Sequence, residues 1–105
     1  MAERITTADF NGKVLNADIP VIVDFYSDTC VPCKMLSPVL SQLETELAGK
    51  LLICKVNVGY EQELVDKYDV QAAPTLIFFK DGEEISRLRG MTQKAKIIEE
   101  FEKIN

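Results

Sequence analysis

The run VIVDFYS, Val21–Ser27, constrains the fold more than any other stretch of this chain. Its residues are β-branched and aromatic with almost no polar alternation, the pattern of a strand covered on both faces of a parallel sheet. A second run of the same kind, LLICKVNV, occupies Leu51–Val58. Between them, from Cys33 to Ala48, Leu36, Leu40, Leu43 and Leu47 recur at intervals of three and four. That spacing is an amphipathic helix, and a strand–helix–strand unit closes as a right-handed crossover between parallel strands. Pro38 falls inside the helix, where the ring removes one amide donor and is expected to kink the axis. Gly49 is placed to end it.

The remaining segments extend the same plan. A short N-terminal segment at Arg4–Thr6 precedes an expected helix over Ala8–Asn16, with Thr7 as its cap and Phe10, Val14 and Leu15 on one side. Ile19-Pro20 ends that element, and a further short helix is expected over Glu61–Tyr68. TLIFFKDGEEISRLR reads as a hairpin whose Asp81-Gly82 dipeptide suits a turn needing positive φ. A last helix over Thr92–Lys103 gathers Ile97, Ile98, Phe101 and Ile104. The order βαβαβαββα predicts a three-layer α/β/α fold with a mixed, mostly parallel sheet and an antiparallel hairpin at its edge. With 105 residues and no repeat or linker, residues 1–105 read as a single domain.

Composition narrows the function classes. A formal charge of −5 argues against binding a phosphate backbone, which needs a dense cationic face. Protein or small-thiol partners are expected instead, with no nucleic acid. The first residues, MAERITTADF, hold charges and no apolar stretch of about 7–15 residues, so they do not read as a secretory signal. The longest apolar runs, Val21–Val23 and Leu76–Phe79, fall far short of the roughly 18 residues of a membrane span. The expected setting is cytoplasmic, away from membranes, and an odd count of three Cys fits poorly with a disulfide scaffold there.

The chemistry gathers at SDTCVPCKMLSP, Ser27–Pro38. Cys30 and Cys33 follow a strand and open a helix, at the carboxyl-end edge where α/β sheets place their sites. Structural zinc needs about four ligands, and a chain without histidine offers only this pair, Cys54 and carboxylates. A staple closing so short a loop gains little chain entropy and would not stay oxidised in a reducing compartment. A redox dithiol is the reading that remains. Amide donors and the helix dipole favour a thiolate at Cys30, the expected nucleophile, while Cys33, one turn inward, would resolve the mixed disulfide. Pro32 supplies a preset φ in the first turn. Asp24 is anomalous in its apolar strand: it reads either as a strand-end carboxylate reaching solvent or a backbone amide, or as a general acid/base for Cys33. Cys54 must face away from Lys55, since side chains alternate along a strand, and reads as a small core residue with a regulatory thiol as the alternative.

Taken together, VIVDFYSDTCVPCKMLSP, KVNV at Lys55–Val58, AAPT at Ala72–Thr75, FKDGE at Phe79–Glu83 and Gly90 resemble the thioredoxin family over essentially the whole chain. The resemblance implies the thioredoxin fold and a protein-disulfide reductase cycling Cys30 and Cys33. It pairs Asp24 with Lys55 as a tuning residue, beside the alternative that Lys55 is a strand-end lysine reaching water, and makes Ala73-Pro74 a cis peptide facing the dithiol. Thr29, Val31, Pro32, Ala73, Pro74 and Gly90 would form the substrate surface. It further implies protein disulfides as substrates, a flavin-bearing thioredoxin reductase or similar donor as electron source, and no cofactor or metal on this chain. A monomer is expected. Thr29 and Tyr26 stand where the family has Trp, and Val31 stands where it has Gly, so partner choice and potential are expected to differ. Two alternatives stay open: a more oxidising disulfide donor or isomerase, and a binding module using the cis-proline groove with an idle dithiol.

Overall fold

Five strands build one sheet: β1 (Glu3–Arg4), β2 (Val21–Tyr26), β3 (Leu52–Asn57), β4 (Thr75–Lys80) and β5 (Glu83–Arg89), in the spatial order β1-β3-β2-β4-β5. The structure is a computed structural model and describes residues 2–105. Among the described residues three α-helices accompany the sheet: α1 (Val31–Glu46), α2 (Gln62–Lys67) and α3 (Lys94–Ile104). β2 lies at the centre, parallel to β3 and antiparallel to β4, and its six residues alternate between the two faces.

Two cores result. On one face Ile22, Ile53, Leu76 and Phe78 meet Leu36, Leu40 and Leu43 of α1 and Ile97 and Phe101 of α3. On the other, Val23, Phe25, Val56, Ile77 and Phe79 meet Ile5, Phe10 and Val14 from the N-terminal segment and Leu64 of α2. Phe10, Tyr68 and Phe79 pack there as a ring triad with centroids 5.3–5.5 Å apart. These layers agree with the α/β/α expectation, and the helical spacing of the leucines accounts for α1. The hairpin also agrees: Asp81 and Gly82 both take positive φ, at 53° and 82°.

The sheet is mixed and mostly parallel in strand direction, as expected: β1, β2, β3 and β5 run one way and β4 alone runs against them, pairing antiparallel with both β2 and β5. β4 starts at the edge where β3 ended, and the chain between them passes through the short helix α2 before turning back antiparallel to β2.

The first helix departs from expectation. Residues Thr7–Asp9 form a 3-10 turn and Asn11–Leu15 a π-type turn. Thr6, not Thr7, sits at the cap, with its amide donating to Asp9 Oδ2 at 3.3 Å. Thr7 is engaged elsewhere: its amide and hydroxyl both donate to Glu61 Oε1, at 2.8 and 3.0 Å. The cap moves because a long-range partner claims the Thr7 hydroxyl. α1 runs without a break past Pro38 and ends at Glu46, and Gly49, at φ 83°, closes the turn after it.

Candidate active site

The end of β2 and the start of α1 are joined by the turn Ser27–Cys30, closed by the Cys30 amide donating to the Ser27 carbonyl at 3.3 Å. Cys30 is the cap residue of α1 and Pro32 lies in its first turn. Helix entry here follows from chemistry: the first amides of a helix have no partner within it, and the sulfur of Cys30 accepts one, from Cys33 N–H at 3.1 Å. Donation to sulfur and the helix dipole both stabilise a thiolate at this position. Cys30 and Cys33 form a disulfide with Cα atoms 5.2 Å apart. Cys30 is partly exposed and Cys33 buried, so only the first sulfur is open to a partner.

Ala73-Pro74 is cis, at the loop that leads into β4. Cys30 Sγ lies 3.4 Å from the Ala73 carbonyl oxygen, a contact through which the reduced thiol can donate. The Gly90 amide donates to the Pro74 carbonyl at 2.8 Å, and Gly90 takes φ 78°, a conformation glycine adopts at no steric cost. Ala73, Pro74 and Gly90 are thus gathered beside the dithiol. Thr29, Val31 and Pro32 are exposed around Cys30, Val31 with 64% of its surface open.

Asp24 faces α1 in register with Lys55 on β3. It is 1% exposed, and neither carboxylate oxygen has a hydrogen-bond partner among the described residues. Burial pushes its pKa up to about 6, while the Lys55 charge acts in the opposite direction. Asp24 thus reaches neither solvent nor a backbone amide, against the strand-end alternative. Lys55 Nζ stands 4.5 Å from the centroid of the Tyr26 ring, a cation–π contact. Lys55 and Cys33 line one pocket of about 300 Å³, with Tyr26, Ser27, Asp28, Lys34 and Ser37. Cys54 turns to the opposite face, buried with Val23 and Phe25, and burial pushes its thiol up to about 11. It packs as a small apolar residue, away from the dithiol.

The sequence did not point to Asp28 or Asn57. Asn57 Nδ2 donates to Asp28 Oδ1 at 3.1 Å across 29 residues of chain. Only the register of β2 with β3 brings them together, and the one available signal was a polar residue ending an apolar strand.

A cysteine pair whose outer member is partly exposed at a helix N-terminus, beside a loop carbonyl, is arranged to pass an electron pair between its dithiol form and a partner's disulfide. The class is the thiol-disulfide oxidoreductases. A thioredoxin family model matches residues 1–103. The chain is 41% identical to a thioredoxin of Pseudomonas aeruginosa, over 90% of this chain and 87% of that protein. It is 40% identical to one of Mycobacterium bovis over 93% and 84%, and 35% identical to one of Rickettsia felis over 94% of each. The chain belongs to the thioredoxin family, and with membership come protein disulfides as substrates and a reductase as electron source.

Proposed function

We propose that the chain acts as a protein-disulfide reductase in which Cys30 is the nucleophile and Cys33 the resolving thiol. The observation that carries this is the Cys33 amide donating to Cys30 Sγ at 3.1 Å, at the partly exposed start of α1. The Cys30 thiolate attacks one sulfur of a substrate disulfide, forming a mixed disulfide and releasing the other substrate sulfur as a thiolate. Cys33 then loses its proton and attacks Cys30, forming the Cys30–Cys33 disulfide and releasing the second substrate thiol. Two electrons pass to the substrate, and the reductase restores them.

Asp24 takes the proton that Cys33 sheds, supported by a pKa of about 6 that leaves it able to both accept and return one near neutrality. Lys55 tunes it by its charge. An extended substrate segment pairs with the backbone of Ala73, and Thr29, Val31, Pro32, Pro74 and Gly90 complete the contact surface. The chain works as one domain, as a monomer in the cytoplasm, where thiols are kept reduced. None of its described helices is long and apolar enough to cross a membrane.

Trapping tests the roles. Cys33→Ser should accumulate a covalent mixed disulfide through Cys30 when mixed with an oxidised protein substrate, seen as a band that thiol reagents dissolve. A trapped species in Cys30→Ser but not in Cys33→Ser would reverse the assignment.

A further inference from the structure

Asn57 is the last residue of β3, 2% exposed, and its side chain is spent on the loop that carries the nucleophile. Its Nδ2 donates to Asp28 Oδ1 at 3.1 Å and its Oδ1 accepts from the Gly59 amide at 2.8 Å. Asp28 is the second residue of the Ser27–Cys30 turn. The same two strand ends are also joined by Val58 N–H donating to the Tyr26 carbonyl at 2.8 Å. A buried amide held at both ends is a fixed anchor, because each unmade bond would leave a polar atom unsatisfied.

We propose that Asn57 is a positioning residue for Cys30: through Asp28 it fixes the Ser27–Cys30 turn so that the Cys30 sulfur faces the Cys33 amide. The inference rests on Cys30 being the nucleophile. Asn57 touches neither sulfur. It acts on the geometry that holds the thiolate at the helix N-terminus, where stabilisation depends on alignment with the donor. If the turn is released, that alignment is lost for part of the time and the thiolate is disfavoured. The charged groups that line the pocket with Cys33 are Asp28 on the turn, Lys34 on α1 and Lys55 on β3, with the buried Asp24 in register with Lys55.

A charge role for Asp28 has the opposite sign. A carboxylate near Cys30 disfavours a second negative charge, so removing it would ease thiolate formation. The two readings therefore separate in the pH dependence of iodoacetamide alkylation of the reduced protein, resolved by peptide mass spectrometry. For Asn57→Ala, which leaves the Asp28 charge in place, the Cys30 pKa should rise and its alkylation at neutral pH slow by about threefold or more. Asp28→Asn keeps an oxygen that accepts from Asn57 and should show no slowing. If Asn57→Ala lowers the melting temperature but leaves the Cys30 pKa unmoved, Asn57 is structural only and the proposal fails. Equal slowing in Asp28→Asn would overturn it too, since the hydrogen bond survives there. Should Asn57→Ala fail to fold, Gly59→Ala takes its place: the new Cβ would press on Asn57 Oδ1 at 3.2 Å. A smaller shift of the same sign is expected, and an unmoved Cys30 pKa would sink the idea. Preferential alkylation of Cys33 in the unaltered protein is a different failure, one that removes the nucleophile assignment and this inference with it.

Discussion

Asp24, in register with Lys55 on β3 and Leu76 on β4, holds a carboxylate at 1% exposure and without a hydrogen-bond partner among the described residues. Its pKa in the folded chain, about 6, lies above the ordinary value of 3.8. Between those values the folded state binds more protons than the unfolded one, so stability falls as pH rises through about 6. The stabilising contribution of protonation is complete below 3.8. Asp24→Asn removes the titration. It should therefore raise unfolding free energy by about 3 kcal/mol at pH 8 and by little at pH 4, as two pKa units correspond to that amount. Denaturant unfolding at the two pH values checks it, and a variant no more stable than the unaltered protein at pH 8 would contradict it. A residue kept at such a cost fits the proton-transfer role given to it here. The buried carboxylate was legible from sequence as an anomaly, and its lack of partners was not, because that depends on what every neighbouring element presents.

At the scale of elements, α1 carries the cysteine pair at its N-terminus. Cys30 caps it, flanked by exposed Thr29 and Val31, the latter 64% open. The family resemblance places an indole and a glycine at these positions. Threonine offers far less apolar contact than indole, and interface energy concentrates in such aromatic anchors. Val31 adds a branched side chain where a partner would approach closely. NADPH oxidation coupled through a generic bacterial thioredoxin reductase should be weak for this chain. It should rise about tenfold or more in Thr29→Trp/Val31→Gly, the factor that ~1.4 kcal/mol of recovered contact supplies. Equal coupling by both would show that these positions do not set partner choice. Element identity was readable where one physical signal dominated: unalternating apolar runs for β2 and β3, leucine spacing for α1, Asp81-Gly82 for the hairpin. It was misread where contacts distant in the chain decided. Glu61 took the hydroxyl expected to cap the first helix, and pairing with β2 set β4 antiparallel within the sheet.

Over the whole molecule, the dithiol and its setting were legible because the succession of elements along the chain and helix entry are local consequences of sequence, and a C-x-x-C after an apolar strand has few other uses. The cis Ala73-Pro74 bond was reached only by resemblance, since cis is a minority state for X-Pro bonds. The Asn57–Asp28 link was out of reach, because it exists only once β2 and β3 have found their register. What unites these parts is one claim: the Cys30–Cys33 pair does the redox work and the third cysteine, buried on the other face of β3, does not. Turnover of insulin disulfides with dithiothreitol, followed by turbidity, compares the unaltered chain with Cys30→Ser, Cys33→Ser and Cys54→Ala. The account predicts acceleration by the unaltered chain and by Cys54→Ala at nearly equal rates, and none above background by either single variant of the pair. Full turnover by Cys30→Ser, or its loss in a folded Cys54→Ala, would contradict it.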